Sequence, residues 1–278
     1  MRLIGKVVAV TGAGGGIGRQ LAVGLVSRGS ALAVSDQRAD SLDETVHLAQ
    51  KAGGNISAQA LDVTDCDMVH SWAKSVVSEF GRVDVLINNA GVTLPWRALE
   101  EVTLEQFRRI VEINLWGAVH TTLAFLPLLR ERPEAAIVNV GSLASLVAFP
   151  KQVGYCTSKF ALRGFTEGLH SEMAGSRVHV TLVLPGSVRG TGIMRNALGT
   201  TPAEVTATEA LQNLPLTSDA LGAADKIIVG IERNRHRVII GKDARILGVL
   251  ARLFPASYPQ ILRPMARSLE RRIEPSDR

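Results

Sequence analysis

Five short runs of branched apolar residues limit what this chain can fold into: KVVAV (6–10), ALAVS (31–35), VDVLIN (83–88), AAIVNV (135–140) and VHVTLVL (178–184). Each fits a strand buried on both faces, the usual state of a strand inside a parallel sheet. The stretches between them are longer and helically spaced, as in IGRQLAVGLVSRG, DMVHSWAKSVVSEFG, LEQFRRIVEINLWGAVHTTLAFLPLLRER and YCTSKFALRGFTEGLHSEMAG. Parallel neighbours need crossovers, and crossovers are right-handed, so the alternation predicts an α/β, Rossmann-like doubly wound parallel sheet.

With 278 residues the chain has room for one such domain, placed at residues 1–242, with VIIG (238–241) as its last strand. Beyond Pro185 and Gly186 the pattern loosens. Residues of about 187–220, with a helix start at Thr201-Pro202 and no evident strand, suit a lid over a cleft. Residues 243–278 form a basic amphipathic extension, and the proline spacing at Pro255, Pro259 and Pro264 breaks any long helix there.

Charge and cysteine content remove several functions. Residues 231–278 hold 11 Lys+Arg and 5 Asp+Glu, whereas residues 1–230 hold 20 and 21, so the net charge of +5 belongs to the tail and does not argue for nucleic-acid binding. Cys66 and Cys156 are too few for a disulfide framework and lack metal-ligand spacing, so no metal is expected. No uncharged apolar run is long enough to span a bilayer. MRLIGKVVAVTG enters the first strand without a secretion signal, and a cytoplasmic location is expected. Packing of the tail on the cleft or a neighbouring subunit is favoured over peripheral membrane contact, which stays open.

TGAGGGIG (11–18) follows the first strand directly and opens the first helix. Glycines there let backbone approach a pyrophosphate, and the helix N-terminus offers free N–H groups with partial positive charge. The spacing is TGxxxGxG, on Gly12, Gly16 and Gly18, and not GxGxxG. Asp36 closes the second strand, where an acidic side chain accepts hydrogen bonds from adenosine ribose hydroxyls and repels a 2′-phosphate. NAD is therefore expected over NADP, although Arg38 stands within reach of such a phosphate and keeps NADP open.

In GYCTSK (154–159), Tyr155 and Lys159 share one helix face at i and i+4. At an effective dielectric near 20, a positive charge about 5 Å away favours the phenolate by roughly 3 kcal/mol, or about two pKa units. The expectation is a tyrosine pKa brought down toward the working range of an acid/base catalyst. Cys156 turns about 100° away and is expected to pack.

The order of motifs is TGxxxGxG, Asp62-Val63, NNAG (88–91), Asn114, Ser142, YxxxK and Pro185-Gly186. In that order the chain resembles the classical short-chain dehydrogenase/reductase family, over about Lys6 to Thr191. The resemblance implies that Tyr155 is the acid/base and that Ser142 hydrogen-bonds the substrate oxygen. It implies that Lys159 lowers the tyrosine pKa and holds the nicotinamide ribose, and that Asn114 positions a water in a proton relay. It further assigns Gly12 and the turn Gly14, Gly15, Gly16 and Ile17, with Gly18 from the motif, to the phosphates, and Asp36 to the ribose. Asp62 and Val63 go to the adenine, Asn89, Ala90 and Gly91 to the cofactor's middle, and Pro185, Gly186 and Val188 to the nicotinamide end. Gly15 stands where NADP-using members often have Arg or Lys. Gly190 stands where a threonine is usual, so the family's carboxamide contact does not transfer securely to Thr191.

The expected activity is oxidoreduction of a secondary alcohol or ketone. LASLVAFPKQV (143–153), VTLPWRAL (92–99) and the loop after Gly186 would border the cleft, mostly with apolar side chains, which implies a lipophilic substrate. Two alternatives compete: a catalytically silent dinucleotide-binding regulator, and epimerase or dehydratase chemistry on nucleotide sugars. The first would have lost one of Ser142, Tyr155 or Lys159, and the second would need a larger substrate domain. Apolar residues on several faces of the helices around Asn114 and Tyr155, with the resemblance, imply a homodimer or homotetramer.

Overall fold

The computed structural model describes residues 1–202, 204–205 and 217–264. Strands β1 (Val7–Thr11), β2 (Ala31–Asp36), β3 (Ile56–Ala60), β4 (Val85–Asn88), β5 (Ala135–Val140) and β6 (Val178–Pro185) join β9 (Arg237–Ile240) in one seven-stranded parallel sheet. Its order is β3-β2-β1-β4-β5-β6-β9. All but β3 fall on the apolar runs. Strand β3 lies at the sheet edge with every position half-buried or exposed, so ISAQA carries no apolar run for sequence reasoning to find.

Helices α1 (Gly16–Val26), α2 (Ala39–Lys51) and α7 (Ala220–Glu232) cover one face of the sheet; α3 (Cys66–Phe80), α5 (Gly117–Arg130) and α6 (Val153–Glu172) cover the other. The alternation of side chains along β1 shows why both are needed. Val8 and Val10 pack with Leu21, Leu25 and Ile227, while Val7 and Ala9 pack with Trp72, Phe125 and Leu129. Asp65 caps α3 by accepting the Met68 N–H, and Gly81 ends it in left-handed backbone.

The long stretch 104–132 is not one regular helix. Helix α4 (Leu104–Val111), opened by a Thr103/Gln106 capping box, passes into a π-helical turn over Glu112–Trp116 before α5 begins. Such wide turns recur at functional sites, and this one carries Asn114.

The expected strandless segment after Gly186 contains one short pairing: β7 (Val188–Arg189) lies parallel to β8 (Ser218–Asp219). Two residues give no period, so the sequence pattern could not show it. Thr201 opens a helix as expected, with its hydroxyl accepting the Glu204 N–H and its own N–H and O–H donating to the Glu204 carboxylate. The rest of the expected lid between 206 and 216, and the extension from 265 onward, lie outside the described residues. Helix α8 (Lys242–Leu253) ends before Pro255, and helical residues resume over 258–264.

Candidate active site

One cavity of about 520 Å³ opens beside the carboxyl ends of the central strands, where the strand order reverses between β1 and β4. At one end the chain leaves β1 and turns through Gly12 (φ 66°) and Gly16 (φ 51°) into α1. A Cβ on Gly12 would fall 2.6 Å from the Ala90 Cα, and one on Gly16 would fall 2.6 Å from the Thr191 carbonyl oxygen. Gly12, Gly15, Gly16 and Ile17 line the cavity, whereas Gly14 and Gly18 do not. Gly18 brings α1 against the turn, since a Cβ there would lie 2.1 Å from the Gly12 oxygen. The first turn of α1 has no acidic residue and no side-chain cap. Its free N–H groups fit a pyrophosphate.

Thr11, the first residue of TGxxxGxG and one to which the sequence reading gives no role, ties the NNAG segment to this turn. Its hydroxyl oxygen accepts the N–H groups of Asn89 and Ala90 at 3.1 Å each. The Asn89 amide donates to the Thr11 and Gly12 carbonyls at 3.1 and 2.9 Å.

At the end of β2, Asp36 accepts the Gly14 N–H at 2.9 Å through one oxygen and the Arg38 N–H at 3.0 Å through the other. Arg38 leans toward it, with Nε 3.7 Å from the carboxylate, and donates to Asn196 at 2.8 Å. Asp62 pairs with Arg109 and accepts from the backbone and hydroxyl of Thr64. Burial opposes its ionisation, but the Thr64 N–H, the Arg109 guanidinium and the Thr64 hydroxyl together hold the carboxyl below the usual carboxylate range. Val63 packs behind it, close enough to Gly117 that a Cβ there would lie 2.5 Å from the valine.

Tyr155, Ser142 and Lys159 meet at the other end. Tyr155 lies beside Ser142, whose hydroxyl favours the phenolate and whose Oγ accepts the Ala144 N–H at 3.1 Å. Lys159 Nζ lies 5.9 Å from the centre of the Tyr155 ring and donates to the Val140 carbonyl at 3.1 Å. Asn114 stands behind the cavity wall. Its amide clasps the Val92 backbone, accepting the N–H at 2.8 Å and donating to the carbonyl at 2.9 Å, and donates to Ser158 Oγ at 2.9 Å. A Cβ on Gly91 would lie 3.1 Å from the Asn114 oxygen and 3.3 Å from Lys159 Nζ, so that glycine separates the two groups by one narrow gap.

The expected fall in the tyrosine pKa does not occur in the protein alone. Burial pushes Tyr155 up to about 12; the Ser142 hydrogen bond works against that rise and Cys156 adds to it. Burial also pulls Lys159 down to about 8. Linear spacing gave the separation of the two groups and not their loss of water, and desolvation outweighs the pairwise attraction. Tyr155 is therefore a protonated phenol at neutral pH.

Pro185 ends β6, and the Gly186 N–H donates to Ile240 at 2.8 Å. The Ser187 N–H donates to Asp243 at 2.6 Å. Val188 lines the cavity from β7, and Thr191 lines it one turn later. The apolar end holds Trp96 against Phe149, ring centres 6.4 Å apart, with Leu143, Met194 and Leu247 alongside. Three contributors carried no sequence signal. Gln152 is buried and donates to the carbonyls of Leu94 and Pro95 at 3.1 Å each, bracing the wall around Trp96. Arg97 pairs with Glu204 at 3.0 Å and donates to the Gly199 carbonyl at 2.9 Å, which ties the segment after β7 to that wall. Asp243 fixes the start of α8 to Ser187. All three act between segments far apart in sequence.

A family model described as short chain dehydrogenase matches residues 6–201. A Mycobacterium tuberculosis protein provisionally named oxidoreductase SadH is 38% identical over 262 residues, covering 93% of this chain and 94% of that protein. Among solved structures, a Burkholderia phymatum short chain dehydrogenase/reductase in complex with NAD superposes with a TM-score of 0.79 at 28% identity, covering 86% of this chain and 90% of its own. A Streptomyces avermitilis short-chain dehydrogenase gives the same TM-score at 30% identity over 95% of this chain and 98% of its own.

Proposed function

The chain belongs to the short-chain dehydrogenase family, and on that premise we propose that it is an NAD-linked oxidoreductase acting on a lipophilic secondary alcohol or ketone, with Tyr155 as its acid/base. The observation that carries this reading is a half-buried phenol beside Ser142 in the cavity whose other end is a glycine turn open for phosphates. Gly12, Gly15, Gly16 and Ile17 would hold the pyrophosphate, Asp36 the adenosine ribose, Asp62 and Val63 the adenine, and Pro185, Gly186 and Val188 the nicotinamide end. Bound there, the cofactor supplies the hydride acceptor or donor and, when oxidised, a positive charge near the phenol.

Tyr155 gives its proton to the carbonyl oxygen in reduction and takes it back from the alcohol in oxidation. Ser142 donates to the same oxygen and orients it. Lys159, bonded to Val140, supplies a positive charge beneath the phenol below pH of about 8. Asn114 and the gap beside Gly91 provide the line along which a proton leaves toward Lys159. The Trp96 and Phe149 end selects an apolar substituent. Exposed Trp116, Leu123, Val153 and Phe160 on the helices around the site support assembly into a homodimer or homotetramer.

A panel of steroid, retinoid, fatty and small secondary alcohols, followed by absorbance of reduced nicotinamide with NAD and NADP in parallel, tests the reading. Turnover is expected with NAD and an apolar alcohol; strong NADP preference would overturn the role of Asp36. Asp36→Asn keeps an acceptor for the Gly14 N–H and removes the charge that repels a 2′-phosphate. It is expected to move the NADP-to-NAD ratio of kcat/KM toward NADP by about tenfold to a hundredfold.

A further inference from the structure

Helix α8 presents apolar side chains on two sides. On the inner side Ala244, Leu247 and Ala251 pack with Leu143, Val147 and Phe149, and the Tyr258 hydroxyl accepts the Ala148 N–H at 3.2 Å. This side is part of the cavity wall, through Leu247. On the outer side Ile246, Val249 and Leu253 are 60%, 57% and 66% exposed. At about 100° per residue they fall within an arc of about 60°, and Phe254 and Ile261 are also exposed. Lys242, Arg245, Arg252 and Arg263 are exposed in the same stretch. The one acidic residue of α8, Asp243, is engaged at its base with the Ser187 N–H.

We propose that this outer face docks on the headgroup region of an anionic lipid bilayer, where α8 lies flat with its apolar stripe in the lipid and its cations on phosphates. A stripe of large aliphatic side chains bordered by Lys and Arg is what an interfacial helix requires, and each cation near an anionic surface adds to binding. Among the described residues no helix is long and apolar enough to cross a membrane, so the contact is superficial. A second copy of this chain is the poorer occupant, because a two-fold axis would bring the same cations together. The inner side of the same helix walls the apolar end of the cavity, so a lipophilic alcohol enters from the bilayer without crossing water. That delivery step rests on the substrate reading above; the docking itself does not.

Flotation of the full chain with vesicles of phosphatidylcholine alone, or of phosphatidylcholine with phosphatidylglycerol, tests the proposal at low and high salt. The wild type is expected to float with the anionic vesicles at least about tenfold more than with the neutral ones, and less at high salt. The triple variant Ile246→Ser, Val249→Ser, Leu253→Ser changes only exposed side chains. It is expected to keep the wild-type unfolding midpoint and NAD affinity while losing flotation. Arg245→Glu with Arg252→Glu should lose it as well. Failure of the wild type to float, or equal flotation of the triple variant, would overturn the proposal. So would a triple variant whose only change is from oligomer to monomer in sedimentation, which assigns the face to a second copy. Flotation without turnover of any alcohol would instead sink the enzymatic reading and leave docking intact.

Discussion

Tyr155→Phe is expected to lower turnover by about 10²- to 10⁴-fold, the range that a positioned proton donor contributes, while NAD affinity stays within about threefold. The ring is half-buried and packs the same way after the change, and Ser142 keeps its hydrogen bond from Ala144. Packing is therefore conserved and only the transferable proton is removed. Ser142→Ala removes an orienting hydroxyl and leaves the proton, so its loss should be smaller. Isothermal titration with NAD, run beside steady-state turnover, separates binding from chemistry. Undiminished turnover in the Phe variant would refute the assignment, and loss of NAD binding would show that the hydroxyl acts on the cofactor.

Lys159→Met is expected to abolish most turnover and, at the same time, to stabilise the protein against urea near pH 7. The lysine is buried and its pKa is pulled from 10.5 to about 8 by desolvation. Between those values the unfolded chain holds a proton that the folded chain has released, so folded stability rises with pH through this window. Below about pH 8 the folded protein carries the full cost of a buried ammonium, about 3 kcal/mol by linkage. Methionine has no such proton. The stability advantage of the variant over wild type should therefore shrink by about 3 kcal/mol between about pH 7 and about pH 10.5, since Tyr155 titrates higher and is present in both proteins. Parallel stability curves for the two proteins would show that Lys159 ionises as it does in water.

These two residues also show where sequence stops being informative. The YxxxK spacing, read with Ser142 and the glycine turn, picked out residues that line one cavity because spacing and order survive projection onto a line. The ionisation of the same residues did not, because it depends on burial beneath segments distant in sequence. The same division holds for the fold. Strands β1, β2, β4, β5 and β6 were legible because the sheet buries both their faces, whereas the edge strand β3 has half its side chains near water and left no pattern. The π-helical turn at Asn114 was hidden because one wide turn barely disturbs helical periodicity. Gln152, Asp243 and the Arg97 to Glu204 latch were illegible for another reason: each is an ordinary polar residue until a remote loop is folded against it. For the tail, packing on the cleft was favoured over membrane contact: one side of α8 packs beside the cavity, and the other side is exposed.

The central claim is that hydride passes between a carbinol carbon and nicotinamide under the control of Tyr155. Its most direct test uses an alcohol found active in the panel, prepared with deuterium on the carbinol carbon, with the reduced nicotinamide analysed by mass spectrometry. The account predicts deuterium in the nicotinamide ring for the wild type and none formed above background by Tyr155→Phe. Reduced nicotinamide without deuterium, or tight NAD binding with no reduction by any alcohol tried, would contradict it.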